Sequence, residues 1–293
     1  MRVLIVGARS MVGRHLERRL VGTCVVRTAG RDPSADVPFD LAEPFIPPSD
    51  IARFEVVIHC AASFAGNSLE EAVHNEVVNS VGSLRALQLA QAVGCRHLIY
   101  VSSISIYDHP ENQYFGSYGL SKKHGQENLQ WCCQQSGMGF TALVASQLYD
   151  AAGTARRHQP ILYHIVDCAR EGKEVRLFGR VSPRRNFVLV DDFAAIVQDV
   201  IDKAIYGTFP VLANESPTLV EVAERAFRVF GTPARIQVAE DKPDTGTVHL
   251  PADRTIFDRI GWHGMTELES GLALIRDQMR TQPDPNALAP ERS

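Results

Sequence analysis

The chain has 293 residues, 45% of them hydrophobic and 22% charged, the mix of an ordinary globular protein. This composition excludes a disordered chain, a collagen-like chain and a small disulfide scaffold. Thirty Lys+Arg against 34 Asp+Glu leave a net charge of -4, so nucleic acid is not an expected partner.

The first element is a β-rich run, Arg2–Val6, that stops at Gly7. Met11, Val12, Leu16 and Leu20 then recur with a helical period. Residues 24–28 and 54–59 predict a second and a third strand, and residues 70–93 one long helix with Val73, Val77, Val81 and Leu84 on one face. Gly94 stands where that helix should end. Residues 97–101 predict a buried strand, 118–135 a helix and 140–144 another strand. Beyond Tyr149 the pattern loosens. A strand at 186–190, a helix at 191–204 and a strand at 209–213 read as a return to the sheet, and 219–230 is an amphipathic helix.

Strands that are apolar throughout and alternate with helices predict an α/β fold: a doubly wound parallel sheet covered on both faces. A smaller C-terminal region is expected to bind substrate. The expected division is 1–149 and 186–213 for the sheet domain, and 150–185 and 214–280 for the substrate-binding region. Residues 281–293, with three prolines and no apolar period, read as a disordered tail. No run approaches about 18 uninterrupted apolar residues, so no membrane partner is expected. The N-terminal apolar run is too short for a signal peptide. The six cysteines form no CxxC pair and the histidines no i,i+4 pair. A reducing cytoplasm and no metal site are the expectations.

In such sheets ligands bind outside the carboxyl ends of the strands. Gly7-Ala8-Arg9-Ser10-Met11-Val12-Gly13 joins the first strand to the first helix, where helix N-terminal amides can face a phosphate. Gly7 allows the tight turn and Gly13 lets the helix pack on the strand. Ser10 occupies the place of the middle glycine of a dinucleotide fingerprint, and its hydroxyl can donate to a phosphate. An NAD site usually carries an acidic residue about 20 residues on. The second strand here runs into Gly30-Arg31 instead. Arg9 and Arg31 suit a ribose 2′-phosphate, so NADP is favoured, with NAD the alternative. Asp32 could serve NAD or cancel Arg31.

Ser103 ends a buried strand, and Tyr118 and Lys122 open the next helix one turn apart. A tyrosine near pKa ~10 is too weakly acidic to exchange protons at neutral pH. A neighbouring ammonium would bring it down. Tyr118 would then exchange a proton with a substrate hydroxyl or carbonyl, Ser103 would hydrogen-bond that oxygen, and Lys122 would hold the nicotinamide ribose.

These residues sit in segments that resemble the extended short-chain dehydrogenase/reductase family, in its NAD(P)-dependent epimerase/dehydratase branch acting on nucleotide sugars. Val57-Ile58-His59-Cys60-Ala61-Ala62 resembles its "VIHxAA", Asn79-Ser80-Val81-Gly82-Ser83 its "NVxGT", and residues 101–107 its "VSSxxVY". Tyr118-Gly119-Leu120-Ser121-Lys122 is its "YGxSK" in full, and residues 185–192 resemble "RDFVHVDD". Gly261-Trp262 with Leu268-Glu269-Ser270-Gly271-Leu272 is similar to its C-terminal pattern.

The resemblance implies a Rossmann sheet. It implies cofactor contacts at Gly7, Arg9, Ser10, Met11, Val12, Gly13, Arg31, Asp40, Leu41, Cys60, Ala61, Ala62, Asn79, Tyr118 and Lys122. It places substrate against Ser103, Ser105, Gln147 and Arg185, with Arg185 meeting a diphosphate. Helices 70–93 and 118–135 would form a homodimer seam, or else ordinary core faces. Two departures stand out. Residues 144–150 lack the family's Arg and Pro, and Ile104-Ser105 replace the Asp-Glu pair of dehydratases, so 4,6-dehydration is not expected. The expected activity is that of an NAD(P)-dependent 4-ketoreductase on a nucleotide sugar. The alternatives are a 4-epimerase with retained NAD, a reductase of a non-sugar carbonyl, and a non-catalytic NAD(P)H sensor.

Overall fold

The computed structural model describes residues 1–48, 50–107, 115–179, 183–242, 250–262 and 264–281. The chain opens with β1 (Arg2–Val6), whose Val, Leu and Ile are buried on both faces, and α1 (Met11–Leu20). Arg18 and Arg19 sit in the last turn of α1, where cations complement the helix dipole. Strands β2 (Val25–Gly30), β3 (Val37–Pro38) and β4 (Val56–His59) follow.

The helical stretch predicted at 70–93 is continuous but not uniform. It starts as α2 (Leu69–Asn75) behind a reciprocal Ser68–Glu71 cap, widens into a π segment (Glu76–Val81), and resumes as α3 (Gly82–Ala92). Gly82 N–H reaches back to the Val77 carbonyl, the five-residue spacing of a π turn. Gly94, at φ +70, follows the end as expected.

Strand β5 (His97–Ser103), helix α4 (Ser117–Ser136, ended by left-handed Gly137) and β6 (Gly139–Ala145) complete this run. The chain then enters a second compact unit with β7 (Gln147–Tyr149), α5 (Pro160–Glu171), β8 (Val175–Phe178) and β9 (Phe187–Leu189). It rejoins the first unit as α6 (Val190–Asp202) and β10 (Gly207–Val211). Helix α7 (Leu219–Phe230) and β11 (Ile236–Ala239) belong to the second unit, α8 (Thr255–Ile260) to the first, and α9 (Leu268–Thr281) to the second.

The first unit is a seven-stranded sheet in the order β10-β6-β5-β4-β1-β2-β3, with every neighbour parallel. This is the doubly wound order, with the crossover point between β1 and β4. The α/β expectation therefore holds. Its core is Val3–Val6, Val56–Ile58, Leu98–Tyr100 and Ala142–Val144, all buried.

One strand departs from the expectation. Phe187–Leu189 does not rejoin the large sheet but pairs in parallel with Gln147–Tyr149 in a separate two-stranded sheet. The next edge position is taken by β10 on β6. Strands β8 and β11, in a further two-stranded sheet, were not foreseen. Helix α8, read from sequence as part of the smaller region, groups with the large sheet. Of the tail at 281–293, only Thr281 lies among the described residues, where it ends α9. Among the described residues, no helix is long and apolar enough to cross a membrane.

Candidate active site

The β1–α1 turn is built for a close approach. Gly7 adopts φ +94, and a Cβ there would lie 2.6 Å from the Ala61 backbone nitrogen. A Cβ on Gly13 would lie 2.3 Å from the Gly7 carbonyl oxygen. Only glycine fits either place. Ser10 is the N-cap of α1: its Oγ accepts from the Gly13 N–H at 3.0 Å, and its hydroxyl points at the Cys60 Sγ 3.8 Å away. The hydroxyl expected to meet a phosphate is thus used first to cap the helix, which explains a serine where a glycine is usual.

Gly7, Arg9, Ser10, Arg31, Asp40, Leu41, Ala61 and Ala62 line one groove of about 1130 Å³ at the carboxyl ends of β1 and β2. The structure therefore brings together eight of the residues expected to hold a dinucleotide, beside the amides that open α1. Met11 and Val12 form the half-exposed first turn of that helix. The Leu41 carbonyl accepts from Arg85 Nη1 at 2.6 Å, which fixes the groove wall. Asp32 neither cancels Arg31 nor stands free for a ribose. It pairs with Arg9 at 3.0 Å, and hydrogen bonds from Ser34 hold its carboxyl below the usual range. Arg31 is exposed on the groove.

Cys60 lies behind the turn. Its Sγ donates to the Val6 carbonyl at 3.2 Å, and burial pushes the thiol up to about 11. Both place the thiol in its neutral, buried form behind the turn. Asn79, expected near the cofactor, spends its carboxamide on Ser63 and Ser121.

The carboxyl end of β5 delivers Ser103, and the first turn of α4 delivers Tyr118. The Ser103 hydroxyl lies near the Tyr118 phenol and favours its ionised form. Ser103 Oγ also accepts the Ser105 N–H at 3.2 Å and lies 3.3 Å from the Ser105 Oγ, so three of the expected residues meet here. The approach of α4 depends on Gly119, where a Cβ would lie 2.5 Å from the Ser105 carbonyl oxygen. The ring of Phe64, which the sequence did not single out, packs on Tyr118 with centroids 4.4 Å apart.

Tyr118 and Lys122 have different immediate partners in the folded chain. Burial pushes the Tyr118 phenol up, opposed by the neighbouring Ser103 hydroxyl. Lys122 is 2% exposed; its Nζ donates to the Val101 carbonyl at 2.8 Å and lies 3.9 Å over the Tyr100 ring. Burial pulls this ammonium down to about 7. The lysine side chain reaches the backbone of β5.

A measurable consequence follows for stability. The folded chain holds the Lys122 proton with a pKa near 7 against 10.5 for the ordinary group. Between these values the unfolded chain binds more protons, so this group makes stability rise with pH. From about pH 7 to 9 the wild type should gain on Lys122→Met, by up to about 1.4 kcal/mol per pH unit. Thermal melts of the two proteins across that window read the difference, and parallel curves would contradict it.

Gln147 and Arg185 belong to the second unit. Gln147 Oε1 accepts the Asn186 N–H at 3.3 Å, and its Nε2 donates to Gln159 at 3.4 Å. Arg185 is 4% exposed and donates from Nη1 to the Arg184 carbonyl at 2.9 Å. Both side chains thus carry local hydrogen bonds that the sequence pattern did not reveal.

The model of the NAD dependent epimerase/dehydratase family matches residues 3–208. The chain is similar to GDP-L-fucose synthase of Escherichia coli, 26% identical over 175 residues that cover 53% of this chain and 53% of that protein. It spans about half to two thirds of the length of the first curated relatives it matches. Among solved structures it is similar to Thermus thermophilus UDP-glucose 4-epimerase in complex with NAD, with TM-score 0.74 and 21% identity over 96% of this chain and 99% of that one. It is also similar to RMD from Pseudomonas aeruginosa complexed with NADPH, with TM-score 0.76 and 17% identity over 96% of this chain and 98% of that one. These two likenesses are likenesses of fold.

Proposed function

The chain belongs to the NAD dependent epimerase/dehydratase family, and on that premise we propose that it is a 4-ketoreductase acting on the carbonyl of a nucleotide sugar, with NADPH as reductant. The observation that carries this reading is the meeting of Ser103 and Ser105, at the carboxyl end of β5, with the first turn of α4 that bears Tyr118, one helical turn before Lys122. The nicotinamide dinucleotide, when bound, supplies the hydride. Everything else falls to the chain.

The first-turn amides of Met11 and Val12, with the Gly7–Ser10 turn, hold the diphosphate. Asp40 and Leu41 flank the adenine, and Arg31, with Arg9 beside it, takes the 2′-phosphate. Cys60, Ala61, Ala62 and Asn79 shape the wall towards the reacting end, and Lys122 holds the nicotinamide ribose. Ser103 and Ser105 orient the substrate oxygen, and Tyr118 passes its phenolic proton to it as the carbonyl becomes a hydroxyl. Gln147 and Arg185 remain the residues assigned to the nucleotide sugar.

Solvent-facing apolar side chains support a homodimer. Leu69, Val73 and Val81 on the α2–π stretch are 83%, 54% and 44% exposed, and Trp131 on α4 is 63% exposed. The cytoplasm is the compartment this reading assumes.

The 4-epimerase with retained NAD is the second reading, supported by the likeness to a UDP-glucose 4-epimerase solved with NAD. Incubation with NADPH or NADH and a panel of 4-keto sugar nucleotides tests the proposal. A preference for NADPH of at least about tenfold, lost in Arg31→Ala, is expected. NAD found tightly retained on the purified protein by mass spectrometry, with no net oxidation of NADPH, would favour the epimerase.

A further inference from the structure

Asn75 and Asn79 stand four residues apart where α2 passes into the π segment, and each uses its carboxamide in the same way. Asn75 Oδ1 accepts the Ala65 N–H at 3.1 Å. Its Nδ2 donates to the Ala65 carbonyl at 3.2 Å and to the Ser117 Oγ at 2.8 Å. Asn79 repeats the pattern on Ser63: it accepts the N–H at 2.7 Å, donates to the carbonyl at 2.9 Å and donates to the Ser121 Oγ at 3.0 Å.

Only a carboxamide both accepts and donates in this geometry, so the side chains act as two rungs of backbone-like pairing. Both asparagines are buried, at 0% and 1% exposure, where a lost partner is costly. The rungs take alternate residues of the loop after β4 and residues four apart on α4. Between the rungs lie Phe64 on the loop and Tyr118 on the helix, the two rings already seen in contact.

The same loop also closes the start of α4. The N-cap Gly116 offers no side chain to the helix. Instead Asn67 Oδ1 accepts the Ser117 N–H at 2.9 Å, and the Ser117 hydroxyl donates to the Gly66 carbonyl at 2.7 Å. A first turn without a cap of its own would fray. Tyr118 is in that turn, and a proton-transfer group must be held to about 0.5 Å.

We propose that Asn75 is a positioning residue for Tyr118: with Asn79 it locks loop 63–65 to the first turn of α4 and so seats Phe64 against the phenol. This rests on the acid/base role given to Tyr118 above. Asn75 touches no reacting atom; it acts through Ser117 and Phe64.

The test is proton NMR of the full chain. The Tyr118 ring signals are those that vanish in Tyr118→Phe, and the adjacent Phe64 ring shifts them. In Asn75→Ala they should move towards their positions in Phe64→Leu. Ser117→Ala, which removes one hydroxyl and keeps the helix, should move them the same way and covers the case of an Asn75 variant that does not fold. With the keto-sugar nucleotide that the wild type reduces, kcat should fall roughly tenfold while KM stays within about twofold. Unmoved Tyr118 signals in either folded variant would overturn the proposal. A Tyr118→Phe protein that still turned over would sink the acid/base reading instead, and the ring shifts would still report whether Asn75 positions the residue.

Discussion

Tyr118→Phe keeps the fold and the dinucleotide but loses turnover, by about 10²- to 10⁴-fold, the span usual for a positioned general acid or base. The substitution removes one oxygen and leaves the ring in place against Phe64, so packing changes little. What disappears is the phenolic proton beside Ser103. Burial pushes the phenol up from its ordinary value, so the neutral, proton-donating form dominates near neutral pH. That suits the reductive direction, in which a carbonyl oxygen must gain a proton. Steady-state assays with NADPH, paired with a binding titration, check the result. Unchanged NADPH affinity with lost kcat fits the role, and loss of both would point to a folding defect.

Gly7→Val should damage both stability and cofactor binding. A β-branched residue at φ +94 costs about 1–2 kcal/mol in backbone strain. The new Cβ would also press on the Ala61 backbone at 2.6 Å, an overpacking penalty of about 1–3 kcal/mol. The melting temperature should fall by on the order of 10 °C. NADPH affinity should fall by about 100-fold or more, because the turn can relieve the clash only by moving away from the groove. Gly22 supplies the control. It has φ +99, but a Cβ there meets nothing within 4 Å. Gly22→Ala should therefore lose only a few degrees and bind NADPH normally. Normal NADPH binding by Gly7→Val would show that the turn is not the cradle.

Much of the fold was readable because the evidence for it is local. The apolar runs at β1, β4, β5 and β6 and the helical period of α1 need no knowledge of neighbours. The π segment escaped notice because six residues are too few to separate a wider turn from an ordinary one in an apolar pattern. The misplacement of Phe187–Leu189 has another cause. Parallel pairing is non-local, and nothing in the run itself says whether β6 or β7 will be its neighbour.

The site shows the same division. Ser103, Tyr118 and the glycine turn were legible because each sits where a strand ends, and strand ends converge in a parallel sheet. The destinations of long or polar side chains were not. Lys122 reaches Val101, Arg9 takes Asp32, and Ser10 caps its own helix. Phe64 left no trace in the pattern. The repeat of asparagine at positions 75 and 79 was the only available sign that the loop beside it is held.

Tyr118 would supply the proton to the substrate oxygen, and a nicotinamide dinucleotide held at the glycine turn would supply the hydride. A single-turnover reaction with NADPH deuterated at its transferable position, offered to the panel of 4-keto sugar nucleotides, tests it most directly. Mass spectrometry should find deuterium on the reduced sugar with the wild type and almost none with Tyr118→Phe. Cofactor that binds and transfers label to no member of the panel, or label transferred equally by Tyr118→Phe, would contradict the account.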